Sequence, residues 1–216
     1  MFKKSFLLII LAFVFLAGCS GDGIEEEMYV HMEKSVELEE DFEKVQEEIS
    51  ELEKKEQDIY SEIFEIAIIH YEEINALATE AIQFIEEREQ KVLEEQASIE
   101  ASYEEFMKVE SLISDIEEED VKATADELLE TMTQRFDAYG ELFEAYQESM
   151  EQEKKLYQIY QEEDIIQEEI SNQVAEMNNS YTKIMEVNEK FNELTDQFNE
   201  LKQKFYEQTD IIVQFE

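Results

Sequence analysis

The sequence predicts an all-α fold: an elongated antiparallel helical bundle of four long helices with coiled-coil-like packing. Three observations predict it. The chain has no proline and 4 glycines in 216 residues, and beyond Gly23 the only glycine is Gly140, so the residues that break helices and shape tight turns are nearly absent. Apolar residues recur at alternating three- and four-residue intervals over four stretches, the mark of helices packing on helices. A hydrophobic content of 43% arranged with that period excludes a disordered chain, although 35% of residues are charged.

The first helix is read over residues 24–65, with Leu38, Phe42, Val45, Ile49, Leu52, Glu56, Ile59, Ile63 and Ile66 along its stripe. Asp22 caps its start and Glu25 takes the capping-box position. Ile66-Ala67-Ile68-Ile69 is apolar all round, so the period is lost and a turn falls near 67–72. The second helix, 72–117, carries Ala78, Ile85, Val92, Ile99, Phe106 and Ile113 at strict sevens. Ile74, Ala81, Arg88, Glu95, Ser102, Val109 and Ile116 interleave with them. The run Glu117-Glu118-Glu119-Asp120 interrupts the pattern, and Asp120 or Thr124 starts the third helix, 121–161. Its stripe is Leu129, Met132, Phe136, Tyr139, Phe143, Tyr146, Met150, Glu153, Tyr157 and Tyr160. Asp164, with Gln167 behind it, caps the fourth helix, 165–210. There Ile170, Met177, Ile184, Phe191, Phe198 and Phe205 recur at sevens, joined by Val174 and Tyr181 early and by Val187, Leu194 and Leu201 late.

Helices of roughly 40 residues are about 60–70 Å long. Similar lengths and short connections favour antiparallel neighbours, and three longer helices are the alternative if one break is only a kink. Gly140 falls mid-helix at a cost of about 1 kcal/mol against alanine, which a close helix approach would explain. Arg88 and Glu153 are charged residues inside apolar stripes. If the second and third helices fold back about residues 118–119, position i faces roughly 237 − i, and Arg88 lies within a turn of Glu153. Either the two pair and fix the register, or both lean out to water at the bundle edge; the second is the commoner fate of such residues.

The N-terminus has the three-part layout of a secretory signal: Lys3 and Lys4, an apolar run from Phe6 to Leu16, then small residues before a cysteine. The apolar run is shorter than the roughly 20 residues that span a bilayer. Leu16-Ala17-Gly18-Cys19 resembles the bacterial lipobox, which implies cleavage between Gly18 and Cys19 and a diacylglyceryl group on Cys19. An ordinary cleaved signal with a stray cysteine is the alternative. Cys19 is the only cysteine, so no disulfide competes for it. The domain reading is therefore 1–18 signal peptide, 19–23 lipidated cysteine and short tether, and 24–216 helical bundle.

A formal net charge of −41 argues against nucleic acid and against lying flat on anionic lipid. No catalytic residue, cofactor site or metal site is read. His31 and His70 lack the Glu-x-x-His spacing of di-iron bundles, no His-Glu-x-x-His motif occurs, and both are expected to be solvated or half-buried helix residues. Glu25-Glu26-Glu27 and the Glu117–Asp120 run are solvated clusters without a calcium loop. Tyr139, Tyr146, Tyr157 and Tyr160 could stack on sugars, but their seam positions favour core packing.

Several blocks in order resemble one known group: Leu52-Glu53-Lys54-Lys55-Glu56-Gln57, Ser98-Ile99-Glu100-Ala101-Ser102, Ala138-Tyr139-Gly140-Glu141-Leu142-Phe143-Glu144-Ala145-Tyr146, and Asn188-Glu189-Lys190-Phe191-Asn192-Glu193-Leu194-Thr195. With the lipobox, they resemble the cell-wall-binding lipoproteins of Bacillus and related Gram-positive bacteria, the YkyA-like family. The resemblance implies an extracytoplasmic, all-helical, non-enzymatic lipoprotein on the outer face of the cell membrane. Its expected partners are the membrane through the lipid anchor, and peptidoglycan or another envelope protein. A binding or spacer role leads; a protein-binding module or a regulator of a cell-wall enzyme is the alternative, favoured if Phe191, Phe198, Phe205 and Tyr206 face outward.

Like charges at this density oppose compaction, so salt, divalent cations and mild acid are expected to raise the thermal midpoint. A melt that is the same at low and high ionic strength would contradict this.

Overall fold

The computed structural model describes residues 23–67, 69–209 and 211, without the side chains of Asp41 and Glu43. The signal peptide, Gly18, Cys19 and Asp22 lie outside the described residues. Among those described, every regular element is helical: α1 (Ile24–Leu38), α2 (Glu40–Glu65), α3 (Tyr71–Phe106), a 3-10 turn (Met107–Val109), α4 (Glu110–Ile113), α5 (Glu119–Tyr160) and α6 (Gln167–Gln208).

The all-α reading holds, but the count of four unbroken helices does not. The span expected as one helix over 24–65 is divided at Glu39, and the second expected helix ends in the 3-10 turn and the short α4. The break at Glu39 has a local cause. Its backbone sits at φ −95°, ψ 0°, and its N–H turns to the Val36 carbonyl at 3.0 Å. The Leu38 carbonyl accepts the Ser98 hydroxyl at 2.6 Å, and the Glu39 carboxylate swings inward to accept Ser102 at 2.6 Å. A side-chain partner from α3 thus replaces a helix hydrogen bond at that point.

Four rods result, in up-down-up-down order: α1 with α2, then α3 with α4, then α5, then α6. α2 packs on α3, α3 on α5, and α5 on α6. All thirteen seam residues expected on the second helix, Ile116 included, are buried, because a period of 3.5 keeps one stripe facing the partner rods. Met28, Phe106, Ile113, Ile116, Val121, Leu128 and Phe205 fill one end of the bundle; Ile63, Ile74, Ile85, Leu156, Tyr157 and Met177 fill the other. Ile99, Ala138, Tyr139 and Phe191 bridge the middle. The N-terminal stripe also runs further back than Leu38, since Met28, Met32 and Ser35 are buried at the same spacing.

The caps expected at Asp120 or Thr124 and at Asp164 do not form. Gly23 stands at the N-cap of α1, Glu118 at that of α5 and Ile166 at that of α6, none with a side-chain cap bond. Asp120 and Thr124 lie inside α5, and Asp164 lies in the turn ahead of α6. Burial decides these starts: Ile116 is in the core just before α5, and Ile165 packs against the core just before α6, so both helices begin only after those side chains are seated. The α2–α3 turn falls at 66–70, as the lost period implied, with exposed His70 as the N-cap of α3 rather than a helix residue.

Gly140 is not at a close approach. It is exposed on α5, and a Cβ placed there meets nothing within 4 Å. Gly140→Ala is therefore expected to stabilise the fold by about 1 kcal/mol by removing unfolded-state entropy. Chemical denaturation would show a raised midpoint with unchanged slope; a lowered midpoint would mean that the glycine is needed.

Candidate functional site

Buried charge organises the interior. Arg88, on α3, is 4% exposed and its guanidinium meets three carboxylates. Nη1 lies 3.6 Å from Glu53 and Nη2 3.0 Å from Glu56, both on α2, while Nη2 also bonds Glu153 of α5 directly. Ser149 donates to the other oxygen of Glu153 at 3.2 Å, and Ser180 of α6 donates to Ser149 at 3.2 Å. Tyr146 donates to Glu53, and its ring centroid is 5.8 Å from the guanidinium carbon. Arg88 and Glu153 therefore pair inside the bundle, and the reading that both lean out to water is overturned. Carboxylates from α2 and α5 close over Arg88, which leaves it no path to the bundle edge.

A second guanidinium repeats the arrangement. Arg135 of α5 holds Glu39 through Nη1 at 2.9 Å and Nη2 at 2.7 Å, donates from Nε to Thr195 of α6 at 2.9 Å, and lies 4.8 Å from the Phe191 ring centroid. Nearer the N-terminal end, Glu33 accepts Tyr206 at 2.7 Å and Lys202 at 3.3 Å, which draws α1 and α6 together.

In the other half of the molecule α2 and α6 stand apart, and a groove of about 610 Å³ opens between them. Ser50, Glu53, Glu56 and Tyr60 form one wall; Val174, Met177, Asn178, Tyr181 and Met185 form the other. Arg88, Tyr146, Ser149, Glu153 and Tyr157 make the floor. Tyr181 and Met185 are exposed at the rim, so Tyr181 does not join the closed seam expected for it. The Nε–H of Arg88 is buried without an acceptor.

The site's electrostatics follow from burial. Desolvation pushes Glu56 up to about 7, helped by neighbouring Glu153 and opposed by Arg88. Glu153 is likewise raised by burial against the pull of Arg88. Burial alone would lower Arg88, but Glu153, Tyr146, Glu56 and Glu53 more than offset it and hold the guanidinium above its ordinary value. Burial, then Glu56, pushes the Tyr157 hydroxyl up; burial, then Glu153, does the same at Tyr181. Outside the groove, Glu95 is buried with neutral partners only, Gln46 and Tyr139 (3.1 Å), and burial raises it to about 7.

The four tyrosines singled out by the sequence divide. Tyr139, Tyr157 and Tyr160 are buried in the core, Tyr157 also flooring the groove, and Tyr146 is half-buried there. His31 is half-buried and bonds Glu105 at 2.7 Å. Phe191, Phe198, Phe205 and Tyr206 are all buried, so the last helix shows no outward aromatic stripe from them. Among the described residues no cluster of three or more His, Cys, Asp or Glu is arranged to hold a metal ion, and no helix is long and apolar enough to cross a membrane. Sequence reasoning missed Arg135 and Glu39. The fold-back relation that placed Arg88 near Glu153 also sets Arg135 opposite Ser102, to which Glu39 is bonded.

Residues 23–208 match the model of the YkyA family, described as "Putative cell-wall binding lipoprotein". The chain is 30% identical over 170 residues to a protein of Bacillus subtilis (strain 168) named "Uncharacterized lipoprotein YkyA", covering 79% of this chain and 76% of that one. Its fold is similar to a crystal structure of a conserved protein of unknown function from Staphylococcus aureus, with a TM-score of 0.61 at 15% identity, covering 88% of this chain and 97% of the other.

A carboxyl group raised in the folded state gives stability that is whole below its unfolded value near 4.5 and is lost as pH rises through about 7. Stability is thus expected to fall between pH 5.5 and pH 8. Glu95→Gln keeps the shape without the charge, so it is expected to exceed the unmodified protein by about 2 kcal/mol at pH 8 and to flatten this slope. Denaturant melts at the two pH values check it; an unaltered slope in the variant would exclude Glu95 as a source.

Proposed function

The chain belongs to the YkyA lipoprotein family, and from that premise we propose a lipid-anchored, extracytoplasmic, non-enzymatic binding protein that spaces a recognition groove away from the cell membrane. Signal cleavage between Gly18 and Cys19 leaves Cys19 to carry the lipid, with residues 19–23 as a short tether to a bundle domain over 24–216. One acyl chain holds weakly and two hold durably, so the anchor is of the diacyl kind. The observation that carries the reading is the position of the groove. Its floor residue Glu153 stands about 48 Å along α5 from Val121, which packs at the end where α1 begins. An acidic shaft therefore holds this concavity far from the anchor.

Binding is favoured over catalysis by the groove's composition. Its lining contains neither histidine nor cysteine, and its carboxylates converge on Arg88. The net charge of −41 repels anionic wall polymers, so contact with peptidoglycan is short-range, within about the 8 Å screening length of physiological salt. A second reading, capture of a protein partner, has its own observation: Phe64, Ile69 and Ile166 are exposed at the turns that form the tip remote from the anchor.

Cells fed a labelled palmitate should label the natural chain and fail to label Cys19→Ala; label retained in the variant would overturn the anchor. Retention of the full chain on purified peptidoglycan supports the wall-binding reading, whereas capture of one envelope protein that is lost on Phe64→Ser with Ile69→Ser supports the second.

A further inference from the structure

The groove has a charge imbalance and an unmet donor that its own residues do not resolve. Three carboxylates, Glu53, Glu56 and Glu153, line it against two cations, Arg88 and Lys54. The Arg88 Nε–H is enclosed on the floor without an acceptor, although the residue is 4% exposed. Buried donors in folded proteins are almost always satisfied, by protein groups or by water, so the acceptor this N–H lacks is an oxygen from outside the chain, of water or of a ligand. The tyrosine rings of Tyr146 and Tyr181 add π faces that attract an organic cation. At about 610 Å³ the groove is far larger than an ion needs and lies in the range of small-molecule and short-peptide sites.

We infer that this groove binds a primary ammonium group carried on an amide-containing chain, the ammonium seated among Glu53, Glu56 and Glu153 and an amide carbonyl accepting from Arg88. The inference rests on the binding reading above and names its ligand chemistry: a lysine-like side chain on a peptide. An anion is disfavoured by the carboxylates, and a neutral glycan would leave the charge excess in place. The ammonium also offsets the mutual repulsion of Glu56 and Glu153, so seating it at mildly acidic pH expels a proton from that pair. The other charged or titratable groups facing the pair are Glu53, Lys54 and Tyr60 from α2, Arg88 from α3, Tyr146 and Tyr157 from α5 and Tyr181 from α6.

The test titrates the full chain, purified in nonionic detergent, with Nα-acetyl-lysine methylamide in a calorimeter at pH 6 and pH 8. The expected result is saturable binding, at least tenfold weaker for the Nα,Nε-diacetyl probe, which keeps the amides and lacks the charge. Proton release, read from buffers of different ionisation enthalpy, should be clear at pH 6 and small at pH 8. Glu53→Gln removes a charge from an exposed position, keeps an oxygen to accept Tyr146, and should weaken the ammonium probe severalfold while the helical content read by circular dichroism is kept. Equal binding of the two lysine probes, preference for an N-acetylglucosamine tetramer, or an unaltered Glu53→Gln affinity would overturn the inference. Failure here, with retention on purified peptidoglycan intact, sinks the ammonium site alone; loss of retention with the probe still bound sinks the wall-binding reading alone.

Discussion

A chain with 58 acidic residues and 17 basic ones can close a four-rod bundle only where each carboxylate turned inward finds a donor. The chain has two arginines, Arg88 and Arg135, and both are buried. Each stands where a lysine would serve poorly, because a planar fork of five donors can reach several rods at once. Arg135 spans Glu39 of the first rod and Thr195 of the fourth from its place on the third. Arg88 spans Glu53 and Glu56 of the first rod and Glu153 of the third from its place on the second. Between them, the two guanidiniums tie all four rods at two levels.

What these ties supply is register more than net stability. Burying an ion pair costs desolvation that its attraction roughly repays, so hydrophobic replacements of equal volume can be as stable. A heptad seam by itself permits sliding by a repeat, and the literal recurrence of Phe191-Asn192-Glu193-Leu194 as Phe198-Asn199-Glu200-Leu201 makes α6 prone to it. A slip of seven residues would carry Thr195 about 10 Å from Arg135 and pull Lys202 and Tyr206 off Glu33. The polar levels therefore exclude registers that the apolar seam tolerates.

Much of this was legible in the sequence because the seam is long. Over six heptads the second helix leaves no freedom about which face is buried, and Arg88 falls on it by count alone. The interruption at Glu39 was not legible, since no glycine or proline marks it; its cause is a hydroxyl on α3, Ser98, distant in sequence. The cap positions were misread for a related reason: Asp120 and Asp164 have the right chemistry, but burial of Ile116 and Ile165 fixes where the helices can begin. The groove was invisible to periodicity. It exists because α6 offers Ser180 and half-exposed Tyr181 where the spacing asks for a large buried side chain, and only the placement of α2 against α3 decides that nothing else fills the gap.

The same excess of acid acts in opposite ways at two distances. Beyond about a Debye length it is a diffuse negative field, screened by salt, that keeps the shaft from collapsing onto anionic surfaces. Within the groove, Arg88 has drawn carboxylates together in a poorly solvated place, where their repulsion is no longer screened and burial holds Glu56 near neutrality. A bundle made only of closed seams would possess the first property and lack the second. The opening between α2 and α6 converts surplus charge from a colloidal property of the whole rod into a local demand, set by a handful of side chains held rigidly by the rods that frame them.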